Sequence, residues 1–138
     1  KTLAQICKGL NEVGKLAADY GQKIRLEVHG EGTQELPNIK TIMDVADHPA
    51  VGVCLNCNDE DLIGMGLRYN FDLVKTRLGD TVHIRELNVG TYPYPDLMKL
   101  LKDVNYEGWI LLECRTDPAD KVAAMKEQRQ IWEKMMRA

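Results

Sequence analysis

Two kinds of apolar spacing alternate along the chain. Leu3, Ile6, Leu10, Val13, Leu16, Ala17 and Tyr20 recur at three- and four-residue intervals, one helical face, and Gly21 suits its stop. Ile24 to His29 then reads as a short strand. Leu36, Ile39, Met43 and Ala46 mark a second helix, ended by Asp47-His48-Pro49, and Val51 to Leu55 is a strand rich in β-branched residues. A short helical piece is expected near Asp59 to Ile63, a third helix over Asn70 to Leu78 and a third strand over Val82 to Glu86. Asn88 to Tyr94 is dense in turn formers. Pro95 fits the first position of a helix running to about Val104, and Trp109 to Glu113 is the fourth strand. Asp117-Pro118 is expected to cap the last helix, which reaches Met136, with Asp120 favourable in its first turn. Its stripe of Val122, Met125, Trp132 and Met136 is expected to be core packing.

The order α-β-α-β-α-β-α-β-α implies parallel strands joined by right-handed crossovers. Four strands make either a small open sheet or half of a closed one. A full barrel takes eight strands and about 250 residues, and this chain has 138. The expected fold is α/β, of the (β/α)8 TIM-barrel type, with residues 1–138 a single domain supplying about four βα units. Val51 to Leu55 and Trp109 to Leu112 are apolar on both faces, as parallel strands covered on both sides are. Half a barrel leaves one face and two edges open. The expected partner is therefore a second copy, in a homodimer of half-barrels, or a missing N-terminal half. The start at Lys1-Thr2-Leu3, without methionine and directly in a helical pattern, reads as an artificial start, a processed product or a fragment.

Composition narrows the class. Apolar residues make up 44% and charged residues 28%, the mix of a globular protein in water. A net charge of -3 offers no basic footprint for nucleic acid. No apolar run approaches the ~20 residues of a membrane span. Cys7, Cys54, Cys57 and Cys114 are scattered, and the CxxC spacing at Cys54 lacks a second pair or histidines to complete a zinc site. They read as reduced structural thiols, which suits a cytoplasmic location.

Strand ends carry the chemistry. Alternation puts Arg25, Glu27 and His29 on one face of the first strand, and Gly52, Cys54 and Asn56 on one face of the second. His83 and Arg85 share a face of the third strand; Leu111 and Glu113 share one of the fourth, with Arg115 just beyond. Active sites of α/β barrels are built at the C-terminal ends of the strands. Glu27, Asn56, His83 and Glu113 together offer two carboxylates, an amide oxygen and an imidazole, a ligand set for divalent Mn, Mg, Co or Zn. A metal there polarises a sugar carbonyl while the two glutamates move a proton on and off the neighbouring carbon. Taken singly, each residue has a plainer reading. Arg25, Arg85 and Arg115 pair with Glu27, Glu86 and Glu113; His29 and His48 are structural; Gly64-Met65-Gly66 lacks a phosphate-loop pattern.

On these residues the chain resembles the sugar phosphate isomerase/epimerase family of the xylose isomerase-like barrel superfamily, a fold that also serves endonuclease IV. The resemblance spans nearly the whole chain as the last four βα units. Leu26-Glu27-Val28-His29 resembles the family's first ligand strand, and His83-Ile84-Arg85-Glu86 its His-x-Lys-Asp motif. Asn105 to Glu113 resembles its closing segment, a glycine before an apolar strand ending in Glu. The resemblance implies Glu27, His83 and Glu113 as metal ligands, with Asn56 in the fourth ligand's place. It also implies Glu27 and Glu113 as acid–base residues. His29, Arg85 and Arg115, at or just past the strand ends, are the candidate substrate contacts. Where the family has Asp-x-x-His, this chain has Asn56-Cys57-Asn58-Asp59, so one charged ligand and one histidine are replaced. The endonuclease branch needs further histidines; three exist here. Two readings follow: a metal-dependent isomerase or epimerase of a sugar or sugar phosphate, and a non-catalytic relative that binds a sugar-like ligand or only assembles. The amide at position 56 implies weak metal binding, or none.

Overall fold

The computed structural model describes residues 2–137. Helix α1 (Thr2–Asp19) leads to strand β1 (Ile24–Glu27), α2 (Leu36–Met43) and β2 (Val51–Asn56). A 3-10 turn at Asp59–Leu62 precedes α3 (Gly66–Val74), and another at Lys75–Arg77 precedes β3 (Leu78–Ile84). Then come α4 (Tyr94–Asp103), β4 (Trp109–Leu112) and α5 (Lys121–Arg137). All three strand pairings are parallel, in the order β1-β2-β3-β4. This is four βα units of TIM-barrel type, in the order a barrel wall requires.

One face of the sheet is buried under helices. Val53, Leu55, Val82 and Ile84 meet Ile39, Ile42, Leu67, Phe71, Leu97 and Leu101 in one core. Small residues bring α1 close: a Cβ on Gly14 would sit 2.5 Å from Val51 Cγ2. The face of α1 that packs is therefore Cys7, Gly14 and Ala17, while Leu3, Val13, Leu16 and Tyr20 stay exposed. The other sheet face is the one that would line a barrel. There Trp109 is 74% and Leu111 41% exposed.

Several boundaries differ from expectation. The third helix begins at Gly66 rather than Asn70, because positive-φ Gly64 and Gly66 turn the chain into it. The buried Asn70 amide donates to the carbonyls of Asp61 and Ile63, closing the turn before the helix. Leu78 opens a strand instead of ending a helix, so β3 starts four residues before Val82. Its pairing jumps from Val53↔Leu78 to Leu55↔Val82, a bulge where Gly79 lies against Gly52. Arg77, in the preceding turn, donates to the carbonyls of Met43, Ala46 and Val51 at 2.9 Å each, tying α2 and β2 to β3.

The cap of α5 is Asp120, which accepts from Ala123 N at 2.9 Å; Asp117 pairs with Lys121 instead. The expected core stripe is not one. Val122, Met125 and Met136 are exposed, Trp132 is half-buried and Gln128 is the buried residue. The helix rests over the open edge strand β4, and a groove lined by Ile84, Ile110, Leu112, Met125 and Trp132 remains between them. No helix among the described residues is long and apolar enough to cross a membrane. All four cysteines are free thiols, Cys114 exposed and the others buried.

Candidate active site

Parallel register aligns the C-terminal strand ends. Asn56 pairs with His83, and His83 with Leu111, so the next inward residue of that chain is Glu113. Glu113 N still donates to Ile84 O at 2.8 Å, which holds the glutamate at the ladder's end although β4 stops at Leu112. Glu27 is the last residue of β1. The three strand ends bring ligand atoms of Glu27, His83 and Glu113 within 4.8 Å of one another. His83 Nδ1 lies 3.3 Å from Glu27 Oε1 and 3.8 Å from Glu113 Oε2. Asn56, fully buried, donates its amide to Glu27 Oε1 at 2.9 Å.

The cluster keeps spare capacity. Asn56 Oδ1, His83 Nδ1 and Arg85 Nε and Nη2 are buried and make no hydrogen bond among the described residues. Native interiors rarely leave such atoms unpaired, and four together mark where a ligand or ion would bond. Two carboxylates, an imidazole and an amide oxygen suit a divalent cation of the Mn, Co or Zn kind.

Arg85, 12% exposed at its side chain, donates to Glu113 Oε2 at 2.6 Å and so belongs to the cluster. The arginines do not pair with their sequence neighbours: Arg25 pairs with Asp80 and Arg85 with Glu113. His29 lies past the end of β1 and is exposed; its carbonyl accepts from Thr33 Oγ1, and nothing brings its ring to the cluster. Arg115 is exposed too, and its backbone N–H donates to Glu86 Oε1.

Glu86, expected as a partner of Arg85, is instead a buried anchor. It accepts from Arg115 N, Thr116 N and Thr116 Oγ1. Burial pushes its carboxyl up, but these bonds outweigh burial and hold it at about 2. Asp61 is the second such residue. Its Oδ2 accepts from Asn58 N at 3.2 Å and Tyr92 Oη at 2.8 Å. Burial pushes it up to about 7 despite both hydrogen bonds. The Cys57 thiol beside it is pushed up by burial and by the Asp61 charge. A signal for Asp61 was available: Asn58 with Asp61 three residues on is a capping-box spacing.

A family model described as xylose isomerase-like TIM barrel matches residues 1–135. Curated relatives include an inosose dehydratase of Clostridium beijerinckii, 28% identical over 159 residues, covering 94% of this chain and 53% of that protein. Another is the inosose dehydratase of Salmonella typhimurium, 26% identical over 141 residues, covering 82% and 46%. Among solved structures, the 3-keto-D-glucoside 4-epimerase of E. coli superposes with a TM-score of 0.78 at 17% identity, covering 99% of this chain and 54% of that one. D-allulose 3-epimerase from Methylomonas gives 0.70 at 21% identity, covering 91% and 46%. At those identities the structures speak for the fold. The chain spans about half the length of the curated relatives it matches.

Proposed function

The chain belongs to the xylose isomerase-like TIM barrel family, and from that premise we propose that it carries the acid–base half of a metal-dependent sugar isomerase or epimerase site. The observation that supports this most is the convergence of Glu27, His83 and Glu113 ligand atoms within 4.8 Å at three strand ends. The relatives' names, inosose dehydratase and two sugar 3- or 4-epimerases, share a chemical opening. Epimerising or dehydrating next to a ketone begins with loss of a proton from the carbon beside the carbonyl.

In this reading Glu27 and Glu113 stand on either side of that carbon, one removing the proton and the other returning one. Asn56 holds Glu27 Oε1, and Arg85 holds Glu113 Oε2, so each base keeps one oxygen fixed and one free. The unpaired Arg85 N–H groups suit a substrate hydroxyl or phosphate oxygen. Glu27, His83 and Glu113, with Asn56 Oδ1 as a neutral fourth donor, fit a divalent cation. Such an ion, when bound, supplies Lewis-acid polarisation of the carbonyl. His29 and Arg115 stand as substrate contacts on the rim. The exposed inner face, with Trp109 and Leu111, is closed by a missing N-terminal half or by a second copy.

Two observations favour the non-catalytic alternative: the fourth donor is an amide, and Asp59, where the family carries a histidine, is exposed. The test is proton exchange. With Mn2+ in D2O, inosose, a 3-keto-glucoside and D-fructose are followed by NMR for loss of the C–H signal beside the carbonyl. Exchange that disappears in Glu27→Gln and Glu113→Gln is expected. No exchange with any of the three, in protein shown to hold Mn2+, would sink the catalytic reading in favour of a binding relative.

A further inference from the structure

Behind the cluster runs a second set of contacts that the acid–base reading does not use. Asn58 Nδ2 donates to Val28 O at 2.7 Å and to Asn56 O at 3.1 Å, joining the ends of β1 and β2. Asn58 N donates to Asp61 Oδ2, and the same oxygen accepts from Tyr92 Oη in the loop after β3. The Tyr92 ring packs against Tyr94, centroid to centroid 5.0 Å. Tyr94 Oη accepts from Arg85 N at 3.0 Å. Arg85 holds Glu113, which faces His83, which faces Glu27, which Asn56 holds. The contacts therefore close into a ring whose front is the candidate site and whose back is Asn58, Asp61, Tyr92 and Tyr94.

Asp61 is the one member of the back with a single oxygen bridging two loops. It is fully buried, and its other oxygen makes no hydrogen bond among the described residues. A buried carboxyl is costly to maintain. Capping the short turn at Asp59–Leu62 uses the bond from Asn58 N but not the one from Tyr92 Oη, which reaches into another loop. What Asp61 accomplishes is geometric: it fixes the β2 loop to the β3 loop, and through them Asn56 to Arg85. Its charged and titratable neighbours are Cys57, Asp59, Glu60 and Tyr92, with Arg85 beyond Cys57.

We propose that Asp61 and Tyr92 are positioning residues, a latch that sets the distance between Asn56 and Arg85 and so between the two carboxylates they hold. The inference rests on the site reading given above. Neither residue touches the reacting atoms. Their effect travels through the backbone of Asn56 and Asn58 on one side and of Arg85 on the other. A one-ångström shift of either carboxylate spoils a shared ligand set, which is why supporting hydrogen bonds matter to metal affinity.

The test uses the whole protein with three variants and a control. Tyr92→Phe removes the hydroxyl and keeps the ring. Asp61→Asn keeps an acceptor oxygen, and Asp61→Ala removes it. His83→Ala removes a proposed ligand. Mn2+ affinity is read by electron paramagnetic resonance, amide exchange at Arg85 and Leu87 in metal-free protein, and melting temperature alongside. Tyr92→Phe and Asp61→Ala are expected to weaken Mn2+ binding roughly tenfold and to speed exchange at Arg85, with Asp61→Asn restoring both to within about twofold. If Tyr92→Phe lowers the melting temperature while Mn2+ affinity and Arg85 exchange stay at the wild-type level, Asp61 and Tyr92 are packing alone and the latch is overturned. Should Asp61→Ala fail to fold, Tyr92→Phe decides. If His83→Ala leaves Mn2+ binding intact, the site reading itself fails and takes the latch with it. Loss in His83→Ala with none in Tyr92→Phe or Asp61→Ala overturns the latch only.

Discussion

Replacing Asn56 by Asp exchanges an amide donor for a carboxylate facing Glu27. In the native chain Asn56 Nδ2 donates to Glu27 Oε1 at 2.9 Å, and Asn56 has no exposure. If the geometry is kept, unit charges 2.9 Å apart repel by 332/(20 × 2.9), about 6 kcal/mol at an effective dielectric constant of about 20. A proton shared by the pair caps the cost. Holding one carboxyl neutral at pH 7, from an ordinary value near 4, costs about 4 kcal/mol. The Glu27 side chain is 39% exposed, so solvent screening brings the repulsion itself below that cap, to about 2 kcal/mol. The metal-free variant should be destabilised by that amount. A divalent cation reverses the sign, because both carboxylates become ligands and the shared proton leaves. Mn2+ affinity should rise about ten- to hundred-fold and depend more steeply on pH. Titration calorimetry with Mn2+ or Co2+, run in two buffers of different ionisation enthalpy, reads affinity and proton release together. Melting in chelator and in Mn2+ reads the stability terms. An Asn56→Asp protein that binds no tighter and releases no extra proton would refute the reasoning, because these side chains would then not share an ion.

Three further outcomes follow from the structure. Arg77→Ala strips donors from three backbone carbonyls and should cost about 3 kcal/mol in a urea titration, with Arg77→Lys recovering less than half, since one ammonium cannot span three acceptors. Burial raises the Asp61 carboxyl from 3.8 to about 7, so the folded state favours its neutral form; that stability is full below pH 3.8 and lost as pH rises towards about 7. The denaturant midpoint of the native chain relative to that of Asp61→Asn should fall as pH rises across that window, the Glu86 contribution being common to both. Sedimentation of the purified 138-residue chain at micromolar concentration should show self-association through the open sheet face; a well-folded monomer would mean that four βα units cover their own core.

Strand parity made much of the site's placement legible. Alternation alone puts Glu27, Asn56, His83 and Glu113 on one face, and parallel pairing puts them at one end of the sheet. What sequence could not supply were partners chosen across strands. Arg25 reaches Asp80 and Arg85 reaches Glu113, residues 55 and 28 positions away. The β3 start was hidden for a different reason. Leu78-Gly79-Asp80 has the composition of a helix end and turn, and only the close approach of Gly79 to Gly52 explains why it is extended. The α5 stripe misled because helical periodicity reports an apolar face without saying what covers it. The burial of Asp61 and Glu86 stayed out of view because a buried acid and a solvated one look identical in a sequence, and the capping-box spacing of Asp61 marks a turn without saying what covers it.

The two tryptophans sit in opposite environments, and that makes the chain its own optical gauge. Trp109 stands almost bare on the inner face, while Trp132, on α5, is half-buried against the core. Closing anything over the inner face moves one indole out of water and shifts its emission to the blue. Unfolding moves the other indole into water and shifts its emission to the red. Closure and melting therefore carry opposite colours in one spectrum, and iodide, which quenches only an indole it can reach, would separate Trp109 from Trp132 without any label.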